Sequence, residues 1–203
     1  MSSMNPMNYV MAPMVITRGP GNSERAMDIY SRMLDDRVVF MFGGVDDNMA
    51  QSIVAQLLFL DSQGNDDVHL YINSPGGVVT AGLAISDAMD SIKSDVATYC
   101  LGQCASMGSY LAQYGAAGKR FVAPWSRTMI HDPSGGAQGI WSDMKNSIKE
   151  MERIREALIA GYVRKNSAGR DKEWFEKNME RDYFMSAQEA IDNGLADHII
   201  TPK

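Results

Sequence analysis

Three segments hold residues whose types and spacing could do chemistry. Ser106 lies in Gly102-Gln-Cys-Ala-Ser106-Met107-Gly108, after an apolar run and before a helical pattern. A nucleophile at a strand-to-helix junction gains from small neighbours, which let a substrate approach its oxygen. It also gains from the N–H donors and positive dipole end of the helix. Serines fill tight turns as well, so the local sequence leaves both readings open. His131 ends the apolar run 128–131 and is followed by Asp132-Pro133-Ser134-Gly135-Gly136-Ala-Gln-Gly139. A histidine at the end of a buried strand, before a glycine-rich loop, can face a cleft and act as general base to a serine. The third segment is Asn73-Ser-Pro-Gly76-Gly77-Val78-Val79-Thr80. Two glycines after a strand allow close approach of a bound peptide or an oxyanion, and N–H groups there can stabilise developing negative charge. A phosphate-binding loop is the competing reading, but neither GxxxxGK[ST] nor GxGxxG is present. A base also needs an orienting acid, and spacing alone cannot choose one among 25 Asp and Glu. His69, within a strand, and His198, near the C-terminus, read as surface or packing residues. Three scattered histidines without cysteine or acidic spacing make no zinc site, so no metal is expected.

Apolar runs and helical patterns alternate along the chain, which predicts an α/β layer fold. Strands are expected at 37–42, 68–72, 96–100, 120–123 and 128–131. Asp46 and Asp47 can cap a helix whose Met49, Ile53, Leu57 and Leu60 share one face. A second helix should start near Thr80 and carry Leu83, Ile85, Met89 and Ile92. A short one should run through Tyr110 and Leu111. The last third differs: Trp141, Met144, Ile148, Met151, Ile154, Leu158 and Tyr162 recur at steps of three and four. That spacing predicts a long amphipathic helix over 141–162, with Asp143, Lys145, Lys149, Glu150 and Arg153 on its polar face. Such a helix either projects from the domain or covers the sheet. Ser186-x-x-Glu189 is a capping box for a final helix ended by Gly194.

The 203 residues fit one domain, which at this length buries roughly 70% of its unfolded surface. A net charge of −6 argues against nucleic acid as a partner. No apolar stretch is long enough to span a bilayer, and no run of like charge suggests a membrane surface. Cys100 and Cys104 read as reduced, buried packing residues of a cytoplasmic protein. Residues 1–11 are polar and Met-rich, without a basic stretch before Arg18, and are expected to be a mobile or processed leader rather than a secretory signal.

Together these segments carry a resemblance. The chain is similar to the proteolytic-subunit family of the ATP-dependent Clp protease, through APMVI at 12–16, DIYSRML at 28–34, IVAQLLFL at 53–60 and LYINSPGGVVTAG at 70–82. It continues through GQCASMGS at 102–109, MIHDPSGGAQG at 129–139 and ERDYFMSAQEA at 180–190. The resemblance implies a serine endopeptidase acting on unfolded polypeptides, with Ser106 as nucleophile, His131 as base and Asp182 as the acid that orients it. It implies an oxyanion hole from the N–H groups of Gly77 and Met107. Substrate would extend along Gly76, Val78 and Val79 and along Pro133, Ser134 and Gly135. The implied fold is an α/β superhelix of β-β-α units of the type shared with crotonases, with the long helix as a projecting handle (about 134–166). Residues of about 12–27 would form an axial segment, and 134–139 a handle strand. Two heptameric rings would stack into a 14-subunit barrel, with Arg181 at the ring-ring contact. The implied partner is a hexameric AAA+ unfoldase of the ClpX, ClpA or ClpC type, which uses the ATP; the peptidase itself needs no cofactor.

Some positions depart from that family's pattern. Asp132 stands where glutamine is usual and is expected to point away from His131. Cys104 replaces a small alanine, the 166–178 region is about two residues longer, and Gly19-Pro20-Gly21 occupies the axial loop. The unfoldase pocket would fall on Leu58, His69, Tyr71, Ser91, Leu101, Phe121 and Ala123. His69, Ser91 and Ala123 are smaller or more polar than the family pattern, which predicts weakened or altered docking. Two other functions compete: a catalytically silent ring subunit that assembles with an active paralogue, and an acyl-CoA enzyme of the crotonase type.

Overall fold

The computed structural model describes residues 12–18 and 24–201. The leader at 1–11 and Gly19-Pro20-Gly21 lie outside them. Strands β1 (Met14–Arg18) and β2 (Glu24–Asp28) form an antiparallel pair, with Met14 opposite Asp28. Helix α1 (Ile29–Asp35) follows, capped by Asp28, and leads into β3 (Val38–Phe42). Then come α2 (Asp47–Gln63), β4 (Val68–Ser74), α3 (Val79–Ser91), β5 (Val96–Ala105) and α4 (Met107–Gln113). The chain continues through β6 (Arg120–Val122), β7 (Arg127–Ile130), α5 (Trp141–Lys165), α6 (Lys172–Met179), β8 (Tyr183–Met185), α7 (Ala187–Asp192) and β9 (His198–Ile199).

The result is a mixed α/β protein with a mostly parallel sheet. Strand order is β3-β4-β5-β6-β9, with β7 paired to β5 and β8 antiparallel to β7. Alternation in β4 explains its two faces. Val68, Leu70, Ile72 and Ser74 are buried among the residues of α2, α3 and α4, whereas His69, Tyr71 and Asn73 are half-buried. On that second face an aromatic row crosses the sheet in register: Phe40, Tyr71, Tyr99, Phe121 and His198. The Tyr71 and Tyr99 rings stack at 4.5 Å and those of Tyr99 and Phe121 at 4.8 Å. Tyr71, Phe121 and His69, three of the expected docking positions, lie on this face; His69 Nδ1 is 3.0 Å from the Tyr99 hydroxyl.

Arg120 is buried at the start of β6, where Nε donates to Asp197 Oδ2 at 2.8 Å and the backbone N–H to the same oxygen at 3.1 Å. This pair ties the centre of the chain to its last strand. Asp46 caps α2 by accepting from Met49 N, and the capping box of Ser186 and Glu189 is formed in full.

Several elements differ from expectation. The first core strand starts at Val38, because Arg37 takes φ 61 and turns its guanidinium to the carbonyls of Leu60, Gly64, Asp66 and Asp67. The strand expected at 96–100 runs on to Ala105 through a bulge, and α5 gains a turn, to Lys165. Residues 131–138 pair with no strand of their own chain, and the handle strand expected at 134–139 is one that would pair across rings. Helix α5 divides along its length. Trp141 and Ile148 are exposed, and its buried residues are Leu158, Ile159 and Tyr162. Among the described residues no helix is long and apolar enough to cross a membrane.

Candidate active site

Three adjacent strands bring Ser106, His131 and Asp182 together. Ala105 at the end of β5 is in parallel register with Met129 of β7, so Ser106 follows one strand and His131 the next. In the antiparallel pair β7–β8, Ile130 faces Tyr183, and one step further His131 faces Asp182. Ser106 Oγ lies 2.8 Å from His131 Nε2, and His131 Nδ1 lies 3.1 Å from Asp182 Oδ1. A line of contacts thus runs from hydroxyl through imidazole to carboxylate. Asp182 retains 58% of its side-chain exposure in the single chain, and the His131 ring is one-quarter exposed.

Ser106 sits between strand and helix with φ 54 and ψ −124, a conformation unfavourable for a non-glycine residue. The surroundings enforce it. Its N–H donates to Met129 O at 2.9 Å, and its carbonyl opens α4 by accepting from Tyr110 N at 3.1 Å. Gly76, at φ 92, lies so close that a Cβ there would be 2.6 Å from Ser106 Cβ. Gly77 is required by the bridge to Val45, whose carbonyl a Cβ would strike. Met107 is the first residue of α4, where a helix has no acceptor of its own for the N–H. The Met107 amide therefore adjoins the serine as a candidate donor to developing negative charge, and the expected second donor, Gly77, follows the Gly76 that packs against it.

The expected substrate positions fall on both sides. Val78 is exposed and Val79 half-buried beside the glycine turn, while Pro133 is half-buried and Ser134 and Gly135 exposed beyond His131. Two hollows of about 450 Å³ compete as the working cleft. One is apolar, between Tyr30, Phe40, Phe42 and Met49. The other is lined by His131, Asp132, Met179, Glu180, Arg181 and Asp182, and we place the chemistry there because it holds two of the three aligned side chains. Arg181 is exposed. Asp132 turns to Arg155, accepting from Nε at 2.7 Å.

Two features went unforeseen from the sequence. The bulge in β5 sets Cys100 opposite Ile72 and Cys104 opposite Ser74, so that two free, buried thiols lie side by side, Cys104 two residues before Ser106. Burial pushes the Cys104 thiol well above its ordinary range, leaving it an inert packing group. Ser109 and Tyr162 also meet behind the serine, their hydroxyls 2.7 Å apart. The signal for that contact was a tyrosine in the apolar stripe of a helix, since a buried phenol seeks a partner.

An α/β domain that lines up hydroxyl, imidazole and carboxylate beside an open hollow has the build of a hydrolytic enzyme. A family model described as Clp protease matches residues 21–203, nearly the whole chain, and the chain belongs to that family. Membership makes it a peptidase of the ClpP type, in a family of oligomeric proteases that work with Clp ATPases.

Proposed function

We propose that this chain is the proteolytic subunit of an ATP-dependent Clp protease, a serine endopeptidase that uses Ser106, His131 and Asp182. The observation that carries the reading is the aligned pair of contacts, 2.8 Å from Ser106 to His131 and 3.1 Å from His131 to Asp182. In the reaction His131 Nε2 takes the hydroxyl proton as Ser106 Oγ attacks the peptide carbonyl. The carbonyl oxygen becomes an oxyanion, met by the Gly77 and Met107 N–H groups. His131 then gives the proton to the leaving amine, and the C–N bond breaks. Water, deprotonated by the same nitrogen, attacks the acyl-enzyme ester and frees Ser106. Asp182 accepts from Nδ1–H and holds the tautomer with Nε2 free.

Peptide would lie as a strand between Gly76, Val78 and Val79 on one side and Pro133, Ser134 and Gly135 on the other. Pairing through main-chain groups reads little sequence, so broad specificity is expected. The exposed first half of α5 suits a handle that joins two heptameric rings, and Arg181 suits a contact between them. An AAA+ unfoldase of the ClpX, ClpA or ClpC type would supply the polypeptide and consume the ATP, in the cytoplasm. Its docking is weakened or altered by His69, Ser91 and Ala123. The relay needs no cofactor of its own.

The exposure of Asp182 favours one alternative, a silent subunit assembled with an active paralogue. A fluorophosphonate probe separates the two readings. Label mapped to Ser106 and absent from Ser106→Ala supports the peptidase. An assembled protein that takes no label overturns it.

A further inference from the structure

The carbonyl of Ser106 is where helix α5 reaches the candidate nucleophile. Three donors converge on that oxygen: Ser109 N at 2.9 Å, Tyr110 N at 3.1 Å and Ser109 Oγ at 2.7 Å. Tyr162 Oη stands further off, at 3.5 Å. A serine hydroxyl has one hydrogen. Donated to Ser106 O, it leaves Ser109 Oγ as the acceptor in its 2.7 Å contact with Tyr162, so the phenol is the donor there. Burial pushes the Tyr162 phenol well above its ordinary range, and it keeps that proton. The ring is clamped, stacked on Phe175 at 5.2 Å and edge-on to Tyr110 at 5.2 Å.

A peptide unit is planar, so the C=O of Ser106 and the N–H of Met107 point in opposite directions from one rigid plate. Whatever fixes the oxygen aims the hydrogen. The plate is not held by local preference, because Ser106 is in a strained conformation. We propose that Ser109 and Tyr162 are positioning residues for the oxyanion hole: a hydroxyl relay from α5 that holds the Ser106 carbonyl and thereby sets the direction of the Met107 N–H. This rests on the peptidase reading above. It gives α5, whose first half is exposed, a mechanical route to the reacting atoms.

The test uses full-length, assembled Tyr162→Phe and Ser109→Ala, with active sites titrated by fluorophosphonate. Turnover of a fluorogenic peptide and affinity for a peptide boronate, whose serine adduct is tetrahedral, are both measured. Outright loss of an oxyanion donor costs about 10²–10³ in rate, and a misaimed donor costs less. Expected are falls in kcat of about 10-fold for Tyr162→Phe and about 30-fold for Ser109→Ala, with KM nearly unchanged. Boronate affinity should fall by the same factors as kcat/KM, and the double variant should match Ser109→Ala. Variants within about twofold of wild type in both readouts overturn the relay. So does a loss confined to melting temperature and active-site titre, which marks a packing role. Should Ser109→Ala fail to assemble, Tyr162→Phe, which keeps the ring, decides alone. A wild type that neither turns over peptide nor binds boronate refutes the peptidase reading itself, whereas an active wild type with unaffected variants refutes only the relay.

Discussion

A methyl group on Gly76 probes the geometry around Ser106 directly. The added Cβ would stand 2.6 Å from Ser106 Cβ, 2.8 Å from Ala105 O and 2.9 Å from Met107 N. Ordinary van der Waals contact begins near 3.4 Å, so the serine must yield by about 0.8 Å. Two of the three atoms struck are backbone and the third is a Cβ, so no flexible side-chain end can absorb the overlap. The φ of +92 adds strain of about 1–3 kcal/mol for any residue with a side chain. A misplacement near 1 Å at a reacting centre can cost about 100-fold in rate. Gly76→Ala should therefore lower kcat on a fluorogenic peptide about 100-fold and slow fluorophosphonate labelling comparably. Its melting temperature should fall by only several degrees. A folded, assembled variant within about threefold of wild-type kcat would refute the placement of the glycine turn against the nucleophile.

Other expectations follow from single residues. Ser106→Ala and His131→Ala should each remove about 10⁵–10⁶ of peptide turnover while leaving melting unchanged, and residual activity well above this would move the nucleophile elsewhere. Asp182→Asn should cost about 10⁴ in kcat through the wrong imidazole tautomer; equal loss in peptide KM would contradict an orienting role. Asp197→Ala strands the buried Arg120 and should destabilise by about 3–5 kcal/mol, read as the denaturant midpoint. Burial alone would raise the Asp197 carboxyl, but its contacts with Arg120 outweigh that and hold it below the usual 3.8. A lowered folded value means that this stabilisation is complete above pH 3.8 and fades as pH drops through the folded value. The difference between wild type and Asp197→Asn should then persist at pH 5 and shrink only in stronger acid; a gap that closes by pH 5 would contradict the pairing.

Legibility in the sequence followed the length and regularity of each element. The caps at Asp46 and Ser186 and the stripe from Trp141 were readable because local hydrogen bonding and a sustained period specify them. Ser106 and His131 were readable as candidates because each ends an apolar run. Asp182 was not, since it is placed by the register of a strand only three residues long, too short to show alternation. Helix α6, at eight residues, hid for the same reason, although its Phe175 supports the Tyr162 ring. Arg37 looked like a strand residue until its left-handed backbone and five hydrogen bonds showed it to be a clasp. The β5 bulge was concealed because Leu101-Gly102-Gln103 reads as a strand ending, while the sheet recaptures the chain at Cys104.

The union of Arg120 with Asp197 spans 77 positions, and this separation orders events in time. During synthesis the arginine leaves the ribosome well before its counter-charge has been made. Until then β6 lacks its outer neighbour β9, and burying the lone guanidinium would cost several kcal/mol. The outer edge of β6 therefore stays open until Asp197 and β9 have been made. Closure of β6 waits on a residue made 77 positions later.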